Sequence, residues 1–214
     1  MSNCKTTFHD YLDDKIKLET WQKLGVIFLV IVISGIFGWV YEFIFYFFNG
    51  GMKEFYLQGG NFLPWINIYA IGACLIILTT YKIKKHPILV VVISAIATGI
   101  LEYLAGLLIF KIGNGTRFWD YNTEILNFGN IGGFVCLRSV LFFGISALAL
   151  MYGILPFCIH LSLKLPKKVF LTIAISLFVI FMADELYNLV VVRIFDLPNA
   201  MTIYKSAGFK YVGS

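Results

Sequence analysis

The chain has 214 residues, 59% of them hydrophobic and only 14% charged, with a net charge of +5 and a mean hydropathy of +0.84. A soluble domain carries about 25% charged residues, so this composition excludes a sizeable soluble catalytic domain. It also makes the lipid bilayer, not nucleic acid, the partner that the positive charge addresses. A hydrocarbon core of about 30 Å takes about 20 apolar residues per helix, and the length therefore predicts an all-α integral membrane protein of about five spans with short loops.

Residues 1–23 are polar, with Lys5, Lys15, Lys17 and Lys23 set against Asp10, Asp13, Asp14 and Glu19. No short apolar region with a small-residue cleavage site follows a basic start, so this is not a signal peptide. Phe8, Tyr11, Leu12, Ile16 and Leu18 suggest an amphipathic helix on the membrane surface; a solvated cytoplasmic tail is the other reading. A single transmembrane domain is predicted over 24–195.

The first span covers about 24–48. Gly35, Gly38 and Glu42 share one face at i, i+3 and i+7. Small residues there let another helix approach closely, which turns the carboxylate toward protein rather than lipid. Residues 49–64 are apolar yet broken by Asn49-Gly50-Gly51, Gly59-Gly60 and Pro64. This reads as a re-entrant segment, if protein satisfies its backbone, or as a plain outer loop.

The second span covers about 65–81 and ends at Lys82, Lys84, Lys85 and His86. The third, about 87–110, opens at Pro87, a favoured first-turn position. On it Gly99, Glu102 and Gly106 repeat the arrangement around Glu42. The loop 111–132 carries Arg117, Trp119, Asp120, Tyr121, Glu124 and Asn127; its aromatic residues suit the membrane interface. The fourth span covers about 133–162, with Arg138 one turn inside it and Pro156 as a candidate kink. The fifth, about 168–195, contains Asp184, Glu185 and Asn188. Residues 196–214 form a short outer tail.

Basic residues set the orientation. The N-terminal segment, the loop 82–86 and the loop 164–168 hold ten; the opposite loops and the tail hold five, leaving aside Arg138 and Arg193. The positive-inside rule puts the N-terminus in the cytoplasm and the C-terminus outside. Glu42, Glu102, Arg138, Asp184, Glu185 and Asn188 then fall at similar depth in the outer half, beside Trp119 and Asp120. A charge at the bilayer centre costs on the order of 3 kcal/mol. Four acids and one arginine at one level predict a paired network or a shared polar cavity for a headgroup, ion or solute; a subunit interface is the third reading. One arginine cannot neutralise four carboxylates, which leans toward the cavity.

Other chemistry finds no support in the motifs. There is no Walker A loop, G-x-S-x-G or H-E-x-x-H. Cys4, Cys74, Cys136 and Cys158 form no C-x-x-C pair, and His9, His86 and His160 match no metal spacing. No metal or cofactor is expected, and the chain reads more as a non-enzyme than an enzyme.

At the charged residues the chain resembles a family of small bacterial membrane proteins, Putative ABC-transporter type IV, also called CmpB-like permeases. The family pattern has G-W-x-x-E in its first span, matched by Gly38, Trp39 and Glu42. A Gly/Pro-rich segment with P-I-Y-G-x-G follows, matched loosely by Phe55 to Gly60, Pro64, Ile68, Tyr69 and Gly72, with Ala70 where the family has Gly. The E-Y pair is Glu102-Tyr103, and W-D-Y-S is Trp119-Asp120-Tyr121-Asn122 except at its last position. Asn127 and Leu137-Arg138-Ser139 with Gly144 match the remainder. The family's loop Gly-Arg is not evident after Asn127; Arg138 is the candidate substitute. The resemblance covers about residues 30–155. It implies a permease-like subunit in the bacterial plasma membrane, served by a separate ATPase, since this chain has no nucleotide-binding motif. Two alternatives stay open from the residues alone. One is a membrane-embedded enzyme or binding protein for a lipid headgroup or small polar solute, using Glu42, Glu102 and Asp120. The other is a structural or regulatory membrane protein. Self-assembly is undetermined.

Overall fold

The computed structural model describes residues 8–49, 57 and 59–210. Expectations for Cys4, Lys5, Gly50 to Tyr56 and Gln58 lie outside the described residues. The described fold is all-helical: α1 (Phe8–Leu12), α2 (Thr20–Asn49), α3 (Asn67–Thr80), α4 (Pro87–Ile112), α5 (Leu137–Ala149), α6 (Leu155–Lys164), α7 (Lys167–Leu186), α8 (Val192–Phe195) and α9 (Ala200–Ser206). A π-helical turn at Leu150–Ile154 joins α5 to α6, and another at Tyr187–Val191 joins α7 to α8. Among the described residues four helices are long and apolar enough to cross a membrane: Thr20–Phe48, Pro87–Ile112, Leu137–Lys164 and Lys167–Phe195. Asn67–Ile83 is a shorter apolar helix, closed by a 3-10 turn at Tyr81–Ile83. The protein is thus an all-α membrane protein, with helices where the five spans were expected.

The boundaries differ in two informative places. The first helix starts at Thr20 rather than residue 24. The fourth starts at Leu137 rather than 133, because Gly129, Gly132 and Gly133 have φ of 65°, 62° and 80°. That left-handed backbone suits glycine and cannot continue a right-handed helix.

The chain packs as two compact units. The first comprises the described residues within Met1–Lys17 and Gly72–Phe157; the second comprises those within Leu18–Ile71 and Cys158–Ser214.

In the first unit α4 and α5 pack along each other. The buried face of α4 is Val90, Ser94, Thr98, Glu102 and Gly106, whereas Ile100, Leu104, Leu108 and Ile112 face outward. Small and polar residues lie inside and bulky apolar ones outside, because lipid solvates the outer face and close helix contact needs small side chains. A Cβ on Gly99 would come 2.9 Å from Val140, and one on Gly144 would come 3.0 Å from Ala95.

The N-terminal segment of this unit turns inward. In the described part of residues 1–23 the helix α1 is five residues long, and Tyr11 is 3% exposed. Its hydroxyl donates to the Met151 carbonyl at 2.9 Å. Lys84, 2% exposed, pairs with Asp14 at 2.5 Å and lies 4.0 Å from the Tyr81 ring centroid. Lys85 pairs with Asp13 at 2.7 Å, and Tyr152 donates to the Lys84 carbonyl. Hydrogen bonds from Lys85 and Lys15 hold the Asp13 carboxyl down to about 2. Lys84 likewise lowers Asp14.

In the second unit α2 packs on α7. Trp65, Val32, Ala70 and Phe181 form its core. Gly25 faces the Phe170 ring with no room for a Cβ.

Candidate functional site

Among the described residues the first unit buries one carboxylate, Glu102, and the second buries two, Asp184 and Glu185. In the first, Glu102 is 4% exposed and sits level with the first turn of α5. Its carboxylate accepts from the Ser139 hydroxyl at 2.6 Å and the Tyr121 hydroxyl at 2.5 Å. Ser139 is the third residue of α5 and also completes the cap at Cys136. The start of that helix carries the positive end of its dipole, so an acidic side chain is well placed there.

The loop 113–136 closes over this carboxylate. Tyr121 N–H donates to the Gly133 carbonyl at 3.0 Å, and Asn127 donates to the Tyr121 carbonyl at 2.8 Å. Trp119 Nε1–H donates to the Phe134 carbonyl at 2.9 Å. Asp120 accepts from the backbone and side-chain amides of Asn122 and lies 3.6 Å from Arg117. Arg117 in turn stacks on Phe110 and Phe134. Gly106 permits the packing: a Cβ there would lie 3.0 Å from Phe134 and 3.2 Å from Trp119. Tyr103 packs edge-on against Phe134.

Arg138 lies in the first turn of α5 rather than one turn inside a span. It pairs with Glu124, a loop acid outside the expected set, and also donates to the Ile125 carbonyl at 2.9 Å. Its guanidinium lies 5.4 Å from the Tyr121 ring centroid.

In the second unit Asp184 and Glu185 are both buried near the C-terminal end of α7. Asp184 accepts from the backbone N–H of Phe62 at 3.0 Å and of Leu63 at 2.9 Å, and from the Asn188 amide at 2.8 Å. Glu185 accepts from Asn61 at 2.7 Å and Asn67 at 3.0 Å. Asn188 also donates to the Asp184 carbonyl and accepts from the Ala200 N–H. These contacts pin the Gly/Pro-broken segment around Pro64 to α7. Protein groups thus satisfy irregular backbone there, the condition such a segment needs in a membrane.

Glu42, on α2, accepts from the Tyr69 hydroxyl at 3.0 Å. A Cβ on Gly38 would overlap the Tyr69 ring. The Gly38-Trp39-x-x-Glu42 spacing therefore has a physical content: the glycine admits the ring whose hydroxyl meets the carboxylate one turn further on.

Of the residues expected to share one cavity, Glu102, Trp119, Asp120 and Arg138 belong to the first unit. Glu42, Asp184, Glu185 and Asn188 belong to the second. The shortage of positive charge is met locally: hydroxyls, amides and backbone N–H groups hydrogen-bond each of Glu42, Glu102, Asp184 and Glu185. Sequence reasoning missed Glu124, Asn61 and Asn67 as partners. The last two carried a signal, being amide side chains in an otherwise apolar stretch. Among the described residues no group of three or more His, Cys, Asp or Glu gathers as metal ligands.

A bundle of long apolar helices with carboxylates buried in hydrogen-bonded clusters defines a polytopic membrane protein. A family model described as Putative ABC-transporter type IV matches residues 28–189, and the chain belongs to that family. The matched region contains both clusters and stops short of α1 and α9. No curated protein and no solved structure gave a match.

Proposed function

We propose that the protein is the permease-like membrane subunit of a transport system in the bacterial plasma membrane, driven by an ATPase carried on a separate chain. Membership of the ABC-transporter family supports this reading most directly. The chain itself has no nucleotide-binding loop. In this reading the Glu102–Tyr121–Ser139 cluster is the contact for a polar solute or ion. An ionisable side chain buried in a membrane helix is a functional candidate, and the carboxylate and hydroxyl oxygens here are acceptors for such a ligand.

Gentle purification followed by native mass spectrometry tests the proposal. The expected result is a stoichiometric complex with a nucleotide-hydrolysing protein. Glu102→Gln should still assemble in that complex while its ATP hydrolysis no longer supports transport. A chain recovered without an ATPase but with a retained phospholipid would move the assignment to lipid-headgroup binding.

A further inference from the structure

We propose that the loop Gly113–Cys136 is a membrane-inserted, re-entrant element whose outer side lies in lipid acyl chains. This needs only that the protein is in a membrane, and does not rest on the transport reading.

The first argument is the register of α4 against α5. Glu102 faces Ser139, Gly99 faces Val140, and Val91 and Ala95 face Gly144. The two helices are antiparallel, and α5 begins level with Glu102. Ten more residues of α4 run from there to Ile112, about 15 Å at 1.5 Å per residue. Along those turns α4 has the loop beside it, with Phe134 and Trp119 on Gly106 and Arg117 on Phe110.

The outward face of α4 stays apolar over the same turns except at Lys111, exposed in the last one. Leu104, Leu108 and Ile112 continue the apolar stripe from Ile100, each more than half exposed. A helix end exposed to water along its length would turn polar through all of these turns. The loop exposes apolar side chains of its own: Phe118, Ile125, Leu126, Phe128 and Ile131 are 48–58% exposed. Five bulky apolar side chains on one 24-residue connection far exceed scattered surface hydrophobes.

Most polar side chains of the loop bond inward or to one another, and the exposed Asn122 and Thr123 both bond to Asp120. Tyr121 reaches Glu102; Arg117, Asp120, Asn127 and Asn130 are engaged within the loop. Its backbone is paired internally as well, through Ile131 with Val135 and Leu137 N–H with the Phe128 carbonyl. A non-helical chain at membrane depth must satisfy its own polar groups. An aqueous loop has no such need and would show the opposite sidedness. Lipid is the occupant this surface fits, because the loop packs beside the last turns of α4, whose outward side chains Leu104, Leu108 and Ile112 are apolar too. Asn114 and Thr116, exposed at the end of α4, mark the water boundary.

The test uses the full chain in phosphatidylcholine–phosphatidylglycerol vesicles. Nitroxide labels go singly at Ile125, Phe128, Ile131 and Asn114 on a background with the native cysteines changed to alanine. The expected result is relaxation by oxygen over a water-soluble nickel chelate at the first three sites and the reverse at Asn114. Chelate access at Phe128 and Ile131 would overturn the proposal in favour of an aqueous loop. Access to neither reagent would overturn it in favour of a protein-covered face. If the alanine background fails to fold, Phe128→Trp in the native chain serves instead. Added emission quenched by brominated lipid and not by acrylamide supports insertion; the converse refutes it.

Discussion

The contact between Tyr11 and Met151 can be tested quantitatively. At the π-turn the Leu155 N–H bonds to the Leu150 carbonyl, one residue beyond its α-helical partner, Met151. The next donor in that register would be residue 156, but Pro156 has no N–H. The Met151 carbonyl is thereby left without a helical donor, at a residue with no exposure. The Tyr11 hydroxyl supplies the missing bond at 2.9 Å. Tyr11→Phe keeps the ring against Phe8 and removes only that donor. A buried acceptor left unsatisfied costs about 1–3 kcal/mol. For a chain of this size, 2 kcal/mol lowers Tm by roughly 4–8 °C. Thermal unfolding in detergent, followed by circular dichroism, measures the effect. Repeating the substitution on Pro156→Ala, which restores an N–H, should shrink the loss to less than half. A loss below about 0.3 kcal/mol, or an equal loss in both backgrounds, would refute the reasoning.

The other expectations concern the two clusters and the N-terminal clasp. Glu102→Leu strands the Tyr121 hydroxyl, while Ser139 keeps the Cys136 carbonyl, and should destabilise by about 1–3 kcal/mol; Glu102→Gln keeps an acceptor and should lose less than half of that, read from the same melts. Asp184→Asn sets an amide NH2 against one of the Phe62 and Leu63 N–H groups; protease cleavage near Pro64 should quicken, with a loss of about 1–3 kcal/mol. Gly38→Ala should displace Tyr69 from Glu42 and lower Tm more than Gly153→Ala, whose added Cβ meets nothing within 4 Å. Asp13 and Asp14 are held below the ordinary carboxylate range, so their contribution is complete above about pH 4 and disappears as pH falls through their lowered folded-state values, about 2 for Asp13. The Tm gap between wild type and an Asp13→Asn/Asp14→Asn double variant should be constant from pH 7 to 5 and narrow below pH 4; a gap that widens on acidification would reverse the assignment.

Hydropathy over about 20 residues determined the membrane class and the approximate spans of this protein, because burial in lipid acts locally on each helix. Helical spacing alone also placed Gly38 with Glu42, and Gly99 with Glu102 and Gly106, on shared faces. Tertiary structure decided which groups answer each charge. Asn61 and Glu185 are 124 residues apart, and Tyr11 and Met151 are 140 apart, so no local pattern announces their pairing. Arg138 shows the same limit. Its position in an apolar run suggested an acid on another span as its partner, yet three glycines with left-handed backbone delay α5 to Leu137. Arg138 therefore falls in the first turn, within reach of Glu124 on the loop. The sidedness of that loop was likewise invisible in composition, since its polar and apolar residues alternate along the chain and separate only when the backbone folds over Glu102.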